Sequence, residues 1–269
     1  MRHAELARPQ EELDRLCEAE GLSLSEETLL MKYFPYAINP ATISRLDFLV
    51  RNLVEGESLD AGCGTGWVSC YLMEYHKRNL VQVDLSREAL REAKVLFHSL
   101  NSTSCFLVKS DISELPFRDE CFDNIVCFSV LEHVPSVKSV LEEFYRVSNV
   151  EGRLIVALPN KYGSYSLIND RFIPLILSII GKKRDKNIRS YHETLQVFDW
   201  WKKEISSHGF QFRSHINIEF LQSLFVKVAN ILRIQRKSLW LLNLLDAKLA
   251  THLPRFFASD WIMVFEKAR

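Results

Sequence analysis

The chain has 269 residues, a length that one α/β domain can occupy, and its 47% hydrophobic content supports a sizeable core. Six cysteines without a C-x-x-C pair, and no secretory signal peptide at the start, argue against a disulfide framework and for reduced thiols in the cytoplasm. The 34 basic and 34 acidic residues balance overall, but residues 1–150 carry 15 against 24 and residues 151–269 carry 19 against 10, leaving the halves at −9 and +9.

The first 56 residues hold an acidic helical stretch from Glu11 to Glu20, the run Tyr33-Phe34-Pro35-Tyr36, and the pattern of a helix from Ile43 to Val54. Leu59-Asp60-Ala61-Gly62-Cys63-Gly64-Thr65-Gly66 then runs an apolar strand into an acid and three alternating glycines. Glycine tolerates the positive φ of a tight strand-to-helix turn and lets main-chain N–H groups touch a ligand. The helix predicted from Trp67 to Lys77 points its positive dipole end at whatever sits above the sheet edge. A nicotinamide fingerprint spaces its glycines G-x-G-x-x-G/A; here the third comes one residue sooner, and Trp67 fills the place that needs a small residue. Cys63 has no partner base in the sequence and reads as a small filler within the turn.

Acids close the strands that follow. The second strand, Val81 to Leu85, reaches Asp84, 18 residues after Gly66, where a carboxylate can hold both ribose hydroxyls. Asp84 and Ser86 are equally good caps for the helix predicted from Arg87 to Ser99. Cys105 to Ile112 reads as a third strand ending at Asp111, and Phe122 to Phe128 as a fourth. This alternation argues an α/β, doubly wound, mostly parallel sheet whose ligands sit outside the carboxyl ends of the strands. Val137, Val140, Leu141, Phe144 and Val147 trace a helix capped by Ser136, packed between the fourth and fifth strands. Leu195, Phe198, Trp201 and Ile205 mark another, stopped by Gly209 before a strand from Phe210 to Ile216. The stretch from Asn217 to Ser259 is helical by pattern and longer than a sheet connection requires, and a closing strand lies near Trp261 to Glu266.

Leu59 to Gly66, Val83-Asp84, Ser110-Asp111-Ile112, Leu115-Pro116-Phe117, Phe122 to Val126, Val130-Leu131-Glu132-His133-Val134 and Gly152 to Asn160 together resemble one family. They look like a class I S-adenosylmethionine-dependent methyltransferase of the type-11, quinone-biosynthesis-like branch. The resemblance implies a seven-stranded Rossmann-like sheet with one antiparallel strand and a helical cap. It divides the chain into an N-terminal helical segment over the site, residues 1–56, and a methyltransferase domain, residues 57–269, with acceptor insertions at about 161–194 and 217–259. It also implies roles for single residues. Asp60 and the turn of Gly62, Cys63, Gly64 and Gly66 would receive the methionyl amino and carboxylate ends, and Asp84 the ribose. Asp111 would accept from the adenine amino group, Ile112 would offer its main-chain N–H to the ring, Leu85 would lie against the adenine face, and Phe128 would line the same site. The competing readings are structural: Asp60 as a turn cap, and Leu85 as an ordinary core leucine.

The chemistry implied is methyl transfer from S-adenosylmethionine to a small-molecule, lipid-linked or sugar-linked acceptor, most plausibly at oxygen. N- or C-methylation and a catalytically silent cofactor-binding protein are the alternatives. A sulfonium donor is already activated, so positioning supplies most of the rate. For a hydroxyl acceptor a general base helps, and His133, after the fourth strand, is the best-placed titratable group. Relatives that O-methylate quinone precursors carry Glu-x-x-Glu-His here and hold a divalent metal. This chain reads Ser129-Val130-Leu131-Glu132-His133, without the first carboxylate, and metal independence is expected. Asn160, Tyr162 and His192, with Tyr165 and Tyr191, are the candidate acceptor contacts.

The apolar run Phe172 to Ile180 is too short to span a bilayer and is followed by a basic cluster ending at Arg189. Phe172 to Arg189 therefore suits peripheral contact with an anionic membrane, or a grip on a phosphorylated, lipid-linked acceptor. Nucleic acid ranks low as a partner: the Asp/Asn-Pro-Pro-aromatic element of amino-methylating nucleic-acid enzymes is replaced by Cys127-Phe128-Ser129-Val130. A nicotinamide oxidoreductase is disfavoured by the glycine spacing and by the lack of a Tyr-x-x-x-Lys pair.

Overall fold

Short apolar strands alternate with amphipathic helices along the chain, and the computed structural model assembles them into one seven-stranded sheet. The structure describes residues 40–75, 80–99, 105–163, 194–218, 245–246, 249, 252 and 254–269. The elements are α1 (Pro40–Asn52), β1 (Ser58–Ala61), α2 (Trp67–Tyr75), β2 (Leu80–Asp84), α3 (Arg87–Ser99), β3 (Cys105–Lys109) and β4 (Phe122–Phe128). They continue as α4 (Val137–Val147), β5 (Ser148–Pro159), α5 (Phe198–Ser207), β6 (Phe210–Ile218) and β7 (Asp260–Lys267). Strand order is β3-β2-β1-β4-β5-β7-β6, with β7 antiparallel to both neighbours and every other pairing parallel. The chain order reverses between β1 and β4, the place where such sheets open a crevice at their carboxyl ends.

Successive residues of the central strands point to opposite faces, so each strand supplies two cores. Ile125 and Cys127 of β4, Leu154 and Val156 of β5, and Met263 and Phe265 of β7 pack with Leu141 and Phe144 of α4 and Trp201 of α5. The intervening Val126, Ile155, Ile262 and Val264 pack with Leu46 and Leu49 of α1 and Val68 and Leu72 of α2. The helix α1 is thus a layer on the sheet, tied to the start of β7 by Arg45 to Asp260 at 2.8 Å. A second tie fixes the approach to β1. The buried Asn124 side chain donates to Val54 O at 2.9 Å and accepts from Val54 N at 2.9 Å.

Several expected bounds shift by a few residues, two of them for a visible reason. The third strand ends at Lys109, before Asp111, because Asp111 Oδ1 accepts from Ser113 N and Ser113 Oγ, both at 2.8 Å, and this side-chain turn replaces the ladder. The helix expected from Leu195 starts at Phe198, since Val197 is extended and Gln196 bridges to Asn160. Ser136 caps α4 as expected, accepting from Ser139 N at 3.2 Å. The stretch from Phe172 to Arg189, His192, Tyr165, Tyr191 and most of the helical cap lie outside the described residues, as do residues 1–39.

Candidate active site

The strand-to-helix turn after β1 is built from three left-handed glycines with different reasons for being glycine. Gly62 (φ 77°) and Gly66 (φ 81°) are packing positions: a Cβ on Gly62 would meet Val130 at 2.5 Å, and one on Gly66 would meet Phe97 at 2.5 Å. Gly64 (φ 54°) differs, since a Cβ there meets nothing within 4 Å. Of the three glycines it alone has open space beyond its Cβ position. The turn is anchored below by Gly62 N and Cys63 N donating to Val83 O at 2.7 and 2.9 Å. Cys63 is buried and donates its thiol to Gly64 O, in keeping with a filler.

Asp60 sits inside β1, 2% exposed, and its Oδ2 accepts a hydrogen bond from Ser69 Oγ on α2. Burial pushes its carboxyl from 3.8 up to about 7, the Ser69 hydrogen bond opposes that, and the charge of Asp84 adds to it. A buried acid whose charged form is disfavoured by burial and by a second carboxylate nearby is stabilised in that form by a cation placed against it. Ser69 was not legible as its partner in the sequence; its position in the first turn of α2, nine residues on, was the only signal.

Asp84 ends β2 with both oxygens engaged by main chain: Oδ2 accepts from Gly64 N at 2.8 Å and Oδ1 from Ser86 N at 2.7 Å. Each oxygen keeps a further lone pair for a hydroxyl donor. The helix cap is Ser86, whose Oγ accepts from Ala89 N at 3.1 Å. Leu85 beside it is 64% exposed, which removes the reading as a core leucine. Asp111 is exposed and Ile112 is buried in the core below it, both on the turn that follows β3. Phe128 ends β4 and packs, partly buried, against the α1–α2 core. Asp60, Gly64, Asp84, Leu85 and Asp111 therefore line one stretch of sheet edge across β1, β2 and β3. Adjacent strands are about 4.8 Å apart, so this run is the length of a nucleoside with its substituent.

Beyond β4 the character changes. Ser129, with φ 56°, turns the chain off the strand, and Glu132 and His133 follow. Glu132 is 1% exposed, its Oε2 has no hydrogen-bond partner among the described residues, and burial, with a smaller push from Asp260, raises its carboxyl to about 8. His133 Nε2 lies 3.9 Å from Glu132 Oε1, and the His133 side chain is 37% exposed. Among the described residues no group of three or more His, Cys, Asp or Glu is placed to hold a metal.

The candidate acceptor residues separate. Asn160 is buried and its amide is committed to main chain, donating to Phe256 O and Ala258 O at 2.9 and 2.8 Å and accepting from Tyr162 N at 3.1 Å. Tyr162 is 43% exposed, its ring centroid 6.4 Å from that of Phe256. Phe256 and Arg45 were not singled out by sequence reasoning, since neither carries a motif; only the register that sets Pro159 opposite Asp260 brings them to this rim.

The methyltransferase-domain family matches residues 59–156. A demethylmenaquinone methyltransferase of Oceanobacillus iheyensis is 30% identical over 183 residues, covering 66% of this chain and 73% of that protein. An uncharacterized protein of Methanocaldococcus jannaschii is 28% identical over 207 residues, 77% of this chain and 71% of its own. Among solved structures, the geranyl diphosphate C-methyltransferase of Streptomyces coelicolor superposes with a TM-score of 0.59 at 10% identity, over 84% of this chain and 78% of that one, a likeness of fold.

Proposed function

The chain belongs to the S-adenosylmethionine-dependent methyltransferases, and from that premise we propose that it methylates the oxygen of a small-molecule, lipid-linked or sugar-linked acceptor. The observation that supports this reading of the donor's position is buried Asp60, its carboxyl raised by burial, together with the open space beyond the Cβ position of Gly64. Bound there, S-adenosylmethionine supplies a methyl group already activated by its sulfonium. In this reading Asp60 and the turn of Gly62, Cys63, Gly64 and Gly66 receive the methionyl ammonium and carboxylate. The Asp84 lone pairs take the ribose hydroxyls. Leu85 covers the adenine face, Asp111 accepts from its amino group, Ile112 N–H meets the ring, and Phe128 closes the far side.

The chain's remaining task is alignment and proton removal. The proton of an acceptor hydroxyl would go to the His133 imidazole as that oxygen takes the methyl group. Glu132, buried behind the ring, would hold its orientation. The aromatic Tyr162 would flank the acceptor. His192 belongs to the same proposal through its motif position alone. A relative named a ubiquinone biosynthesis O-methyltransferase, 29% identical over 167 residues, supports oxygen as the acceptor atom.

Labelled methyl transfer into cell extract, fractionated into lipid, glycan, protein and soluble pools, tests the acceptor class. His133→Ala is expected to lower kcat by about a hundredfold with KM for the donor unchanged. Turnover of His133→Ala close to wild type would remove His133 as the base.

A further inference from the structure

Parallel strands are ordinarily joined by a helix that packs on the sheet. The crossover from β3 past β2 and β1 to β4 has none: residues 110–121 contain neither helix nor strand. The main-chain groups of such a segment need other partners. Its first part closes on itself, as Glu114 N donates to Asp111 O at 3.1 Å, Ser110 Oγ to Glu114 O at 3.0 Å, and Ser113 N to Asp111 Oδ1 at 2.8 Å. Its end is tied down by Glu120 N and Cys121 N, which donate to Arg146 O and Val147 O, both at 2.9 Å.

The middle is gripped from α4. Glu143 and Arg146, one helical turn apart, pair fork to fork, Arg146 Nε donating to Glu143 Oε1 and Nη2 to Oε2, both at 2.8 Å. The pair then takes hold of the loop. Arg146 Nη2 donates to Leu115 O at 3.0 Å, and Nη1 to Phe117 O at 2.8 Å and to Asp119 Oδ1 at 2.7 Å. Glu143 Oε2 accepts from Leu115 N at 2.8 Å. A guanidinium has five N–H donors, and here two go to Glu143 and three to the loop. The Arg146 hydrogen bond holds the Glu143 carboxyl below its ordinary range, so the pair stays charged through neutral pH. Leu115, whose N–H and C=O are both held, directly follows the Asp111 to Glu114 turn.

We propose that Glu143 and Arg146 are positioning residues for the donor: their clamp on Leu115 and Phe117 fixes the loop whose first turn presents Asp111 and the Ile112 N–H to the adenine. The inference rests on the donor placement proposed above. The two side chains act through the loop and not by contact with the ligand. A carboxylate recognises an amino group only when it stays where that group arrives, and a displacement of about 1 Å at a binding group costs up to roughly a hundredfold.

Calorimetric titration with S-adenosylhomocysteine and with its inosine counterpart tests this, because hypoxanthine carries a carbonyl where adenine has the amino group. Wild type is expected to prefer the adenine ligand by about tenfold or more. Arg146→Met keeps the length of the side chain without its donors; it should bind S-adenosylhomocysteine roughly tenfold more weakly and retain a preference of no more than about twofold. Arg146→Lys, charged but without the fork, should restore little of either. Arg146→Met that keeps the wild-type preference, whatever its melting temperature, would overturn the proposal, since a residue that only stabilises the fold leaves the ratio of the two affinities alone. Where Arg146→Met does not fold, Glu143→Gln carries the same test, with a smaller loss of preference expected and an unchanged ratio counting against the clamp. Asp111→Ala reads the underlying assignment separately. Preference retained in that variant would remove Asp111 from the adenine site and this inference with it, whereas preference lost there but kept in Arg146→Met overturns the clamp alone.

Discussion

Gly64→Asn is expected to lower S-adenosylhomocysteine affinity by about a hundredfold or more while leaving the fold intact, whereas Gly62→Asn is expected to damage the fold itself. Both positions are left-handed, and asparagine is among the residues that tolerate that backbone at a cost of roughly 1 kcal/mol. The difference is what lies beyond the Cβ. At Gly64 there is open space beyond the Cβ, so a side chain enters the proposed cradle without meeting protein. At Gly62 the Cβ lands 2.5 Å from Val130, and overpacking of that kind costs about 1–3 kcal/mol beyond the backbone term. The melting temperature of Gly62→Asn should then fall by roughly 5–10 °C, against a few degrees at most for Gly64→Asn. Calorimetric titration and a thermal melt of both variants check this. Equal loss of affinity in two equally stable variants would contradict the assignment of Gly64 to the ligand.

Donor affinity is also expected to rise with pH between about 5 and 7 and to level off above. The cause is Asp60, whose carboxyl is raised from 3.8 to about 7 mainly by burial. A methionyl ammonium binds the charged carboxylate, so below pH 7 binding must first remove a proton, a factor that approaches tenfold for each pH unit. The sign for stability is opposite. Between 3.8 and about 7 the folded protein holds a proton at Asp60 that the unfolded chain has released, so stability falls as pH rises across that window. The full difference is on the order of 4 kcal/mol for a carboxyl moved that far. Glu132, raised from 4.5 to about 8 mainly by burial, extends the same downward slope to about pH 8. A bound donor should reverse the Asp60 part, giving a larger thermal shift at pH 8 than at pH 5.5. Asp60→Asn should bind weakly at every pH and show a flat profile. A wild-type affinity independent of pH from 5 to 8, with Asp60→Asn unaffected, would remove Asp60 from the site.

Much of this was written in local patterns. The alternation of apolar runs and helical patterns predicted the parallel part of the sheet, because each βαβ unit carries its own periodicity and its own turn, and α3, β4 and α4 fall where their residues predict. The acids at Asp84 and Asp111 were legible for the same reason: one ends its strand and the other lies two residues past the end of the next. What required the structure was non-local. Ser69 meets Asp60 only because α2 folds back over β1, and Arg45 meets Asp260 across 215 residues of chain. The sorting of the three glycines depends on Val130 and Phe97, which no spacing rule connects to the turn. Asn160 looked like an acceptor contact because it follows a strand; its buried amide instead fastens the loop before β7, and the exposed rings it holds were invisible to a motif search.

The central claim, that the carboxyl ends of β1, β2 and β3 form the donor cradle, is tested most directly by a crystal structure of the full chain grown with S-adenosylhomocysteine. The amino group of the ligand is expected at Asp60, its ribose hydroxyls on Asp84, and its adenine between Leu85 and Asp111. Density for the nucleoside elsewhere on the molecule, or a crevice that stays empty at saturating ligand, would contradict it.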